Sequence, residues 1–146
     1  MTRQERLRHV FVEFIPEEPE EGVIYVSLPY ATAAHLCACG CGCEVITPIS
    51  PTDWQLIFDG ETVSLKPSIG NWSFPCQSHY WLERGRICWA PRWSREKIEA
   101  GRAKDRRNKN RYAYDVPLQR VEQVIEEPPA STRFLRRILR KLGFGR

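Results

Sequence analysis

Short runs of β-branched and aromatic residues alternate with polar turn sequences over the first 91 residues of the chain. The runs HVFVEFI (9–15) and GVIYVSL (22–28) flank an acidic loop that contains proline. Asp59-Gly60 and Arg84-Gly85 each lie between two apolar stretches, as the turn pairs of β-hairpins commonly do. The pattern predicts a mainly β fold, built as a small antiparallel β domain.

Beyond this region the periodicity becomes helical. The stretch from Ser94 to about Asn108 is predicted to be a helix with Ser94 at its N-cap. A second short helix is predicted from Ser131 to Gly143, with an apolar stripe on one side and arginines on the other. That helix would pack on the β domain, or on an acidic partner groove or an anionic membrane surface as a peripheral contact. We therefore expect one or two C-terminal helices.

The charge of the chain changes sign near residue 91. Residues 1–91 contain 6 Lys and Arg against 11 Asp and Glu, whereas residues 92–146 contain 16 against 7. All six cysteines and all three histidines lie in the acidic first part. The sequence thus predicts a β domain with a metal site at 1–91 and a basic helical C-terminal extension at 92–146.

The N-terminus and the cysteines together indicate a compartment. Residues 1–14, MTRQERLRHVFVEF, resemble neither a signal peptide nor a membrane span, so we expect a cytoplasmic protein without a transmembrane segment. In a reducing cytoplasm six cysteines are poor candidates for disulfides and better candidates for metal binding or catalysis.

Four cysteines occur at alternate positions in the stretch HLCACGCGCE, residues 35–44. Gly40 and Gly42 would let this backbone turn around an ion, and a second pair, CQSH, follows at residues 76–79. Structural zinc sites take four ligands from two such tight turns. We therefore predict a zinc-ribbon-like site with zinc as cofactor and with these ligands: Cys37, Cys39, Cys41 and Cys76.

The other cysteines and His79 are interpreted differently. His79 is the first alternative if one of the four cysteines does not bind the metal, and Cys43 is expected not to bind it. Cys88, between Ile87 and Trp89 in a strand, is expected to be a small core residue. Redox chemistry ranks last, because no Cys-x-x-Cys pair opens a helix after a strand.

Several sequence motifs resemble those of a known family and occur in the same order. HLCACGCG, TPISPTDWQL and GETVSLKPSIGNWSFPCQSHYWLERGRICWA are similar to the bacterial domain of unknown function 6527 family, over roughly residues 23–90. This resemblance implies a place beside bacterial ubiquitin-like conjugation genes and a peptidase role on the ubiquitin-like protein. Cys43 and the long basic tail lie outside the pattern of that family.

A serine-type hydrolase requires a hydroxyl within hydrogen-bond reach of a base. Ser68 follows Pro67 in a predicted turn, where a hydroxyl would be presented beside exposed amides. We interpret Ser68 as nucleophile and His79 as base, with His35 as the alternative base. A serine in such a turn more often satisfies its own backbone, and His79 also competes as a metal ligand.

Two further functions stay open at this stage. The aromatic residues of the strands are core residues by default, but exposed beside the metal they would form a groove for an extended protein tail. A noncatalytic zinc-ribbon-like module that binds a protein or nucleic acid is therefore the alternative to a peptidase. The basic stretch 95–111 interleaves acidic residues, which is equally typical of a solvated helix, so nucleic acid is the less favoured partner.

Overall fold

The computed structural model describes residues 2–115, which form eight strands and one helix. The first sheet has the order β1-β2-β3-β4, in which β1 is parallel to β2 and the other neighbours are antiparallel. Its strands are β1 (Arg8–Phe11), β2 (Val23–Ser27), β3 (Thr32–Leu36) and β4 (Glu44–Pro48).

The second sheet is an antiparallel meander with the order β5-β6-β7-β8. Its strands are β5 (Gln55–Phe58), β6 (Val63–Gly70), β7 (His79–Glu83) and β8 (Arg86–Trp89). Arg84 and Gly85 connect β7 to β8 with φ angles of 48° and 70°, as a two-residue turn with both φ positive requires. The mainly β prediction and this hairpin are therefore confirmed.

One hydrophobic cluster joins the two sheets. Ile24 and Val26 of β2 are fully buried with Leu65 of β6 and with Tyr80 and Leu82 of β7. Alternate residues of β7 point to the solvent side, because successive side chains of a strand face opposite ways. The second sheet therefore buries one face and leaves the other free to present functional side chains.

Strand β6 is irregular in its second half. Its register with β7 shifts between Leu65 and Ile69, where four steps along β6 match two along β7, so β6 contains a bulge of two extra residues. Ser68 lies inside this bulged strand and not in the turn that its Pro-Ser-x-Gly context predicted. The prediction of a turn was wrong because pairing of Ile69 with Tyr80 extends the strand beyond Pro67.

Helix α1 spans Arg95–Asp115 and so continues past the expected end at Asn108. Ser94 caps it as predicted, since its Oγ accepts from the Lys97 amide at 3.4 Å. The chain up to Lys109 belongs to one compact unit, and Lys109 forms an ion pair with Asp53. The division at residue 91 stays a prediction, and the helix predicted from Ser131 lies outside the described residues.

Cys88 is exposed on β8, which contradicts its assignment to the core. Its neighbour Ile87 is the residue of this pair that faces the core, and strand alternation turns Cys88 to the other side. In the part of the chain that the structure describes, no helix is long and apolar enough to cross a membrane.

Candidate active site and metal centre

The cysteine-rich stretch after β3 is a tight loop, as a metal site requires. The Cys37 amide donates to the Cys43 carbonyl at 2.8 Å and closes the loop, while the Gly40 amide donates to the Cys37 carbonyl at 2.9 Å. Gly40 and Gly42 have φ angles of 82° and 75°, which glycine adopts without the steric cost that other residues meet. The glycines therefore allow the alternate cysteines to converge instead of lining one face of a strand.

Four thiols meet at this loop. Cys76, from the connection between β6 and β7, joins three cysteines of the loop. All four Sγ atoms lie within 4.8 Å of one another, and the group consists of Cys37, Cys39, Cys41 and Cys76. These are the four residues that the sequence analysis selected as ligands. Neither Cys43 nor His79 belongs to this group.

The spacing of the sulfur atoms suits a tetrahedral ion. Cys37 Sγ lies 3.4 Å from Cys39 Sγ and 3.9 Å from Cys76 Sγ, and Cys41 Sγ lies 3.7 Å from Cys76 Sγ. A zinc ion with Zn–S bonds of about 2.3 Å places its thiolates roughly 3.8 Å apart at the corners of a tetrahedron. The four cysteines could therefore hold a metal ion, and their soft, all-sulfur donor set is compatible with zinc.

Polar side chains surround the buried thiol of Cys37. Ser78 Oγ lies 3.1 Å from Cys37 Sγ, and Asn71 Nδ2 donates to the same sulfur at 3.6 Å. Asn71 Nδ2 also donates to Ser78 Oγ at 2.9 Å. Donors of this kind orient a thiolate ligand and stabilise its negative charge.

His35, the alternative base, lies in the core and contacts a different hydroxyl. It is fully buried, and its Nε2 lies 2.9 Å from the hydroxyl of Tyr80, so it is engaged away from Ser68. Burial lowers the pKa of His35 to about 4, so the ring is neutral at physiological pH.

Ser68 and His79 are in direct contact. Ser68 Oγ lies 3.0 Å from His79 Nε2, within the reach that a nucleophile and its general base require. The contact arises because Gly70 pairs with His79, which sets the bulged end of β6 beside the start of β7. His79 is 3% exposed, so its ring is shielded from water while remaining next to the serine.

The second ring nitrogen of His79 fixes the tautomer. Nδ1 lies 3.1 Å from the carbonyl oxygen of Pro91, which only accepts hydrogen bonds. In the neutral ring Nδ1 therefore carries the proton, and the lone pair of Nε2 faces the hydroxyl of Ser68. The arrangement can remove the serine proton, which is the first step of nucleophilic catalysis.

Three tryptophans surround the His79 ring, at centroid distances of 5.0 Å for Trp72, 5.5 Å for Trp81 and 4.9 Å for Trp93. Trp93 also stacks on Trp72. Gly101 of α1 lies beside the Trp93 ring, and the Lys97 ammonium lies 4.6 Å from the centroid of that ring. The sequence analysis missed Trp93 and Pro91, because they follow the last strand at the boundary of the predicted extension.

The metal loop and the Ser68–His79 pair share one connection. Residues 71–78 join β6 to β7, so this segment links the strand of Ser68 to the strand of His79 and contributes Cys76 to the thiol cluster. The Asn71 amide donates to the Ser78 carbonyl at 2.9 Å and draws the two ends together. Ser78 faces the sulfur atoms and His79 faces the serine, since neighbouring residues of a strand point to opposite sides.

Neither the curated proteins nor the solved structures gave a match. A family model described as bacterial ubiquitination-like system serine protease (BubE) matches residues 11–90, more than half of the chain. Its description agrees with the ubiquitin-like pathway and the peptidase role implied by the resemblance in the sequence, under a different family name. The matched segment includes the thiol cluster, Ser68 and His79, and the chain belongs to the family of bacterial ubiquitination-like system serine proteases.

Proposed function

We propose that this protein is a serine-type peptidase that cleaves the tail of a bacterial ubiquitin-like or related protein. Ser68 is the nucleophile, His79 is the general base, and the Pro91 carbonyl orients the imidazole. The observation that supports this proposal most strongly is the pair of contacts at the His79 ring, 3.0 Å to Ser68 Oγ and 3.1 Å to Pro91 O. Membership in a serine protease family supports the reaction class.

The proposed reaction follows from the tautomer of His79. Nε2 accepts the proton of the Ser68 hydroxyl as Oγ attacks the scissile carbonyl, and the imidazolium then protonates the leaving amine. Water next gives a proton to the same nitrogen as its oxygen attacks the acyl-serine, and the imidazolium then returns that proton to Ser68 Oγ as the carboxylic acid leaves. The Nδ1–H bond to Pro91 is kept throughout, because the carbonyl accepts from both the neutral and the charged ring.

The four clustered cysteines would hold zinc in a structural role. A bound zinc supplies fixed cross-links between the loop after β3 and the β6–β7 connection. Four protein ligands would fill a tetrahedral site and leave no position for a reacting water, which supports hydrolysis by the serine. Thiolate ligands must also stay reduced, which supports a cytoplasmic location.

A noncatalytic module that binds protein or nucleic acid is the second candidate. The observation that favours it is helix α1, which has no buried residue along its 21 residues and carries many basic side chains. Nucleic-acid binding by this helix would weaken steeply as salt is added. Lack of binding to DNA and RNA at low salt would remove that candidate.

The proposed function is tested with purified protein and a ubiquitin-like protein of a bacterial ubiquitination-like system. Metal analysis should give about one zinc per chain, as one closed four-ligand site requires. Incubation with the ubiquitin-like precursor, followed by intact mass spectrometry, should show loss of a C-terminal segment. Ser68→Ala should still bind the precursor without cleaving it, whereas a binding module would behave identically with and without the substitution.

A further inference from the structure

The second half of β6 has a strand neighbour on one side only. Strand β5 pairs with residues 63–66 and ends there, at the pairing of Gln55 with Lys66. Residues 67–70 pair with β7 on the other side, through Ile69 and Gly70. Among the described strands none lies against the opposite edge of residues 67–70, and Ser68 is in this open segment.

The backbone of Gly70 points towards the open edge. The Asn71 amide bonds to the Ser78 carbonyl, and the directions of the bonds alternate along an antiparallel ladder. The N–H and C=O of Gly70 therefore face away from β7. Gly70 itself lines a cavity of about 250 Å³ on that side.

The outer edge of β4 lines the same cavity and is open at Ile46, whereas the Pro48 carbonyl at its end accepts from the Trp54 amide at 3.1 Å. Strand β4 is the last strand of its sheet, and the bonds of Cys37 to Cys43 and of Ile49 to Ala31 fix which of its residues face β3. By the same alternation the N–H and C=O of Ile46 point away from β3. Ile46 lines the cavity and is 57% exposed. The cavity thus lies between two strand edges that both offer backbone donors and acceptors.

One residue of the cavity wall also has a donor without a partner. Trp54 lines the cavity, and its Nε1–H is buried without a hydrogen-bond partner among the described residues. A buried N–H without a partner is destabilising, so a ligand that brings an acceptor to this N–H would gain binding free energy. A backbone carbonyl in the cavity would supply it.

We propose that the cleft between the open edges of β4 and β6 binds the extended polypeptide segment that Ser68 cleaves. The bound segment adds to the edge of β6 at Gly70, and Trp54 Nε1 donates to one of its carbonyl oxygens. This inference rests on the proposed peptidase function, and it identifies where the substrate lies. In edge pairing of this kind, main-chain hydrogen bonds provide the affinity, and the substrate must be extended.

The size and the position of the cleft both favour a peptide strand. Its volume of about 250 Å³ is below the range typical of sites for drug-sized ligands, roughly 300–1,000 Å³, and it suits a narrow main chain. Ser68 precedes two lining residues, Ile69 and Gly70, on the same strand. A segment that follows this edge therefore passes the nucleophile.

The test uses the full chain and a short synthetic peptide that spans the cleavage site of the ubiquitin-like precursor. Trp54→Phe keeps an aromatic ring but removes the donor, and it should raise KM roughly tenfold with little change in kcat. Phe14→Leu, an exposed aromatic residue outside the cleft, is the control and should leave KM unchanged. Peptides with a single N-methylated amide should lose cleavage at every second position, because alternate amides pair with the edge.

Labelling of Ser68 by a small fluorophosphonate separates this inference from the proposed function, since that probe needs the dyad but not the cleft. Normal labelling of Trp54→Phe together with its raised KM supports the inference. The inference is overturned if labelling is normal, KM is unchanged and the N-methylated peptides show no alternation. The proposed peptidase function is then still supported. A lower melting temperature at unchanged KM would make Trp54 structural and overturn the inference too. Absence of labelling in the wild type would overturn the peptidase and this inference with it.

Discussion

His79 donates from Nδ1 to the carbonyl oxygen of Pro91 at 3.1 Å, and its Nε2 lies 3.0 Å from Ser68 Oγ. The group that orients the imidazole is thus a backbone carbonyl in the segment after β8. The Ala90 amide anchors the same segment by donating to the His79 carbonyl at 2.9 Å. The base and its orienting group are therefore held together by the main chain.

Substitution of His79, the proposed base, should abolish catalysis without unfolding the protein. His79→Gln retains a polar side chain but cannot shuttle the proton, so kcat for peptide cleavage should fall by roughly 10²–10⁴. Steady-state kinetics on the ubiquitin-like precursor measures this change. Zinc content should equal that of the wild type, because His79 lies outside the thiol cluster. Loss of zinc with unchanged kcat would reverse both assignments.

Trp93 should act as a positioning residue. Its ring contacts His79 and Trp72, so Trp93→Ala should let the imidazole move and lower kcat by up to roughly a hundredfold. Tyr114→Ala is the matched control, because this aromatic residue of helix α1 is 90% exposed. Recovery of kcat by Trp93→Phe would show that ring packing is what matters. Equal kcat values for Trp93→Ala and the control would exclude the positioning role.

Gly70 should tolerate no side chain. A Cβ at this position would lie 2.4 Å from Trp72 Nε1, so Gly70→Ala must displace the indole that packs on His79. We expect reduced peptide cleavage and a change in tryptophan fluorescence. Gly60→Ala provides a contrast, since a Cβ there meets no atom within 4 Å although its φ of 96° strains the loop. Full activity of Gly70→Ala would show that the position of Trp72 is immaterial.

Metal removal should abolish peptide cleavage, because the proposed zinc would hold the two loops that support the site. Cys39→Ser removes one of the clustered thiols, so it should release zinc and loosen the connection that positions His79. Zinc stoichiometry and thermal unfolding measure the two effects. Cys43→Ser and Cys88→Ala should retain one zinc per chain. A zinc-free protein that stays folded and active would show that the cluster is dispensable.

The hydroxyl of Tyr80 should contribute to stability. Tyr80→Phe leaves His35 Nε2 without its 2.9 Å partner inside the core, which costs about 1–3 kcal/mol in the free energy of unfolding. Denaturant titration measures this loss, and zinc content should not change. Equal stability of the variant would indicate that His35 finds another acceptor or donor.

Local patterns in the sequence predicted much of the fold and indicated which residues were candidates for the site. Alternating strands and the Arg84-Gly85 turn follow from short-range preferences, so they could be read from neighbouring residues. The convergence of Cys76 with the loop cysteines could be suggested by ligand spacing alone. Their roles as ligands, like those of Ser68 and His79 in catalysis, stay predictions until tested.

Tertiary contacts account for what the sequence did not reveal. Cys88 has apolar neighbours in the chain, but the pairing of β8 with β7 decides which face is buried and leaves the thiol exposed. The orienting role of Pro91 belongs to a carbonyl, which every residue has, so no side-chain pattern marks it. The open edge of β6 likewise depends on where β5 ends.

Peptide mapping after treatment with a small fluorophosphonate tests the central claim most directly, because this reagent modifies only a serine that a base activates. The account predicts one phosphonyl group per wild-type chain, located on Ser68, and none on His79→Gln. The label should disappear from Ser68→Ala without moving to Ser64 or Ser78. A protein that cleaves the ubiquitin-like precursor while Ser68 stays unmodified, or that carries the label on another serine, would contradict the assignment of Ser68 and His79 as the catalytic pair.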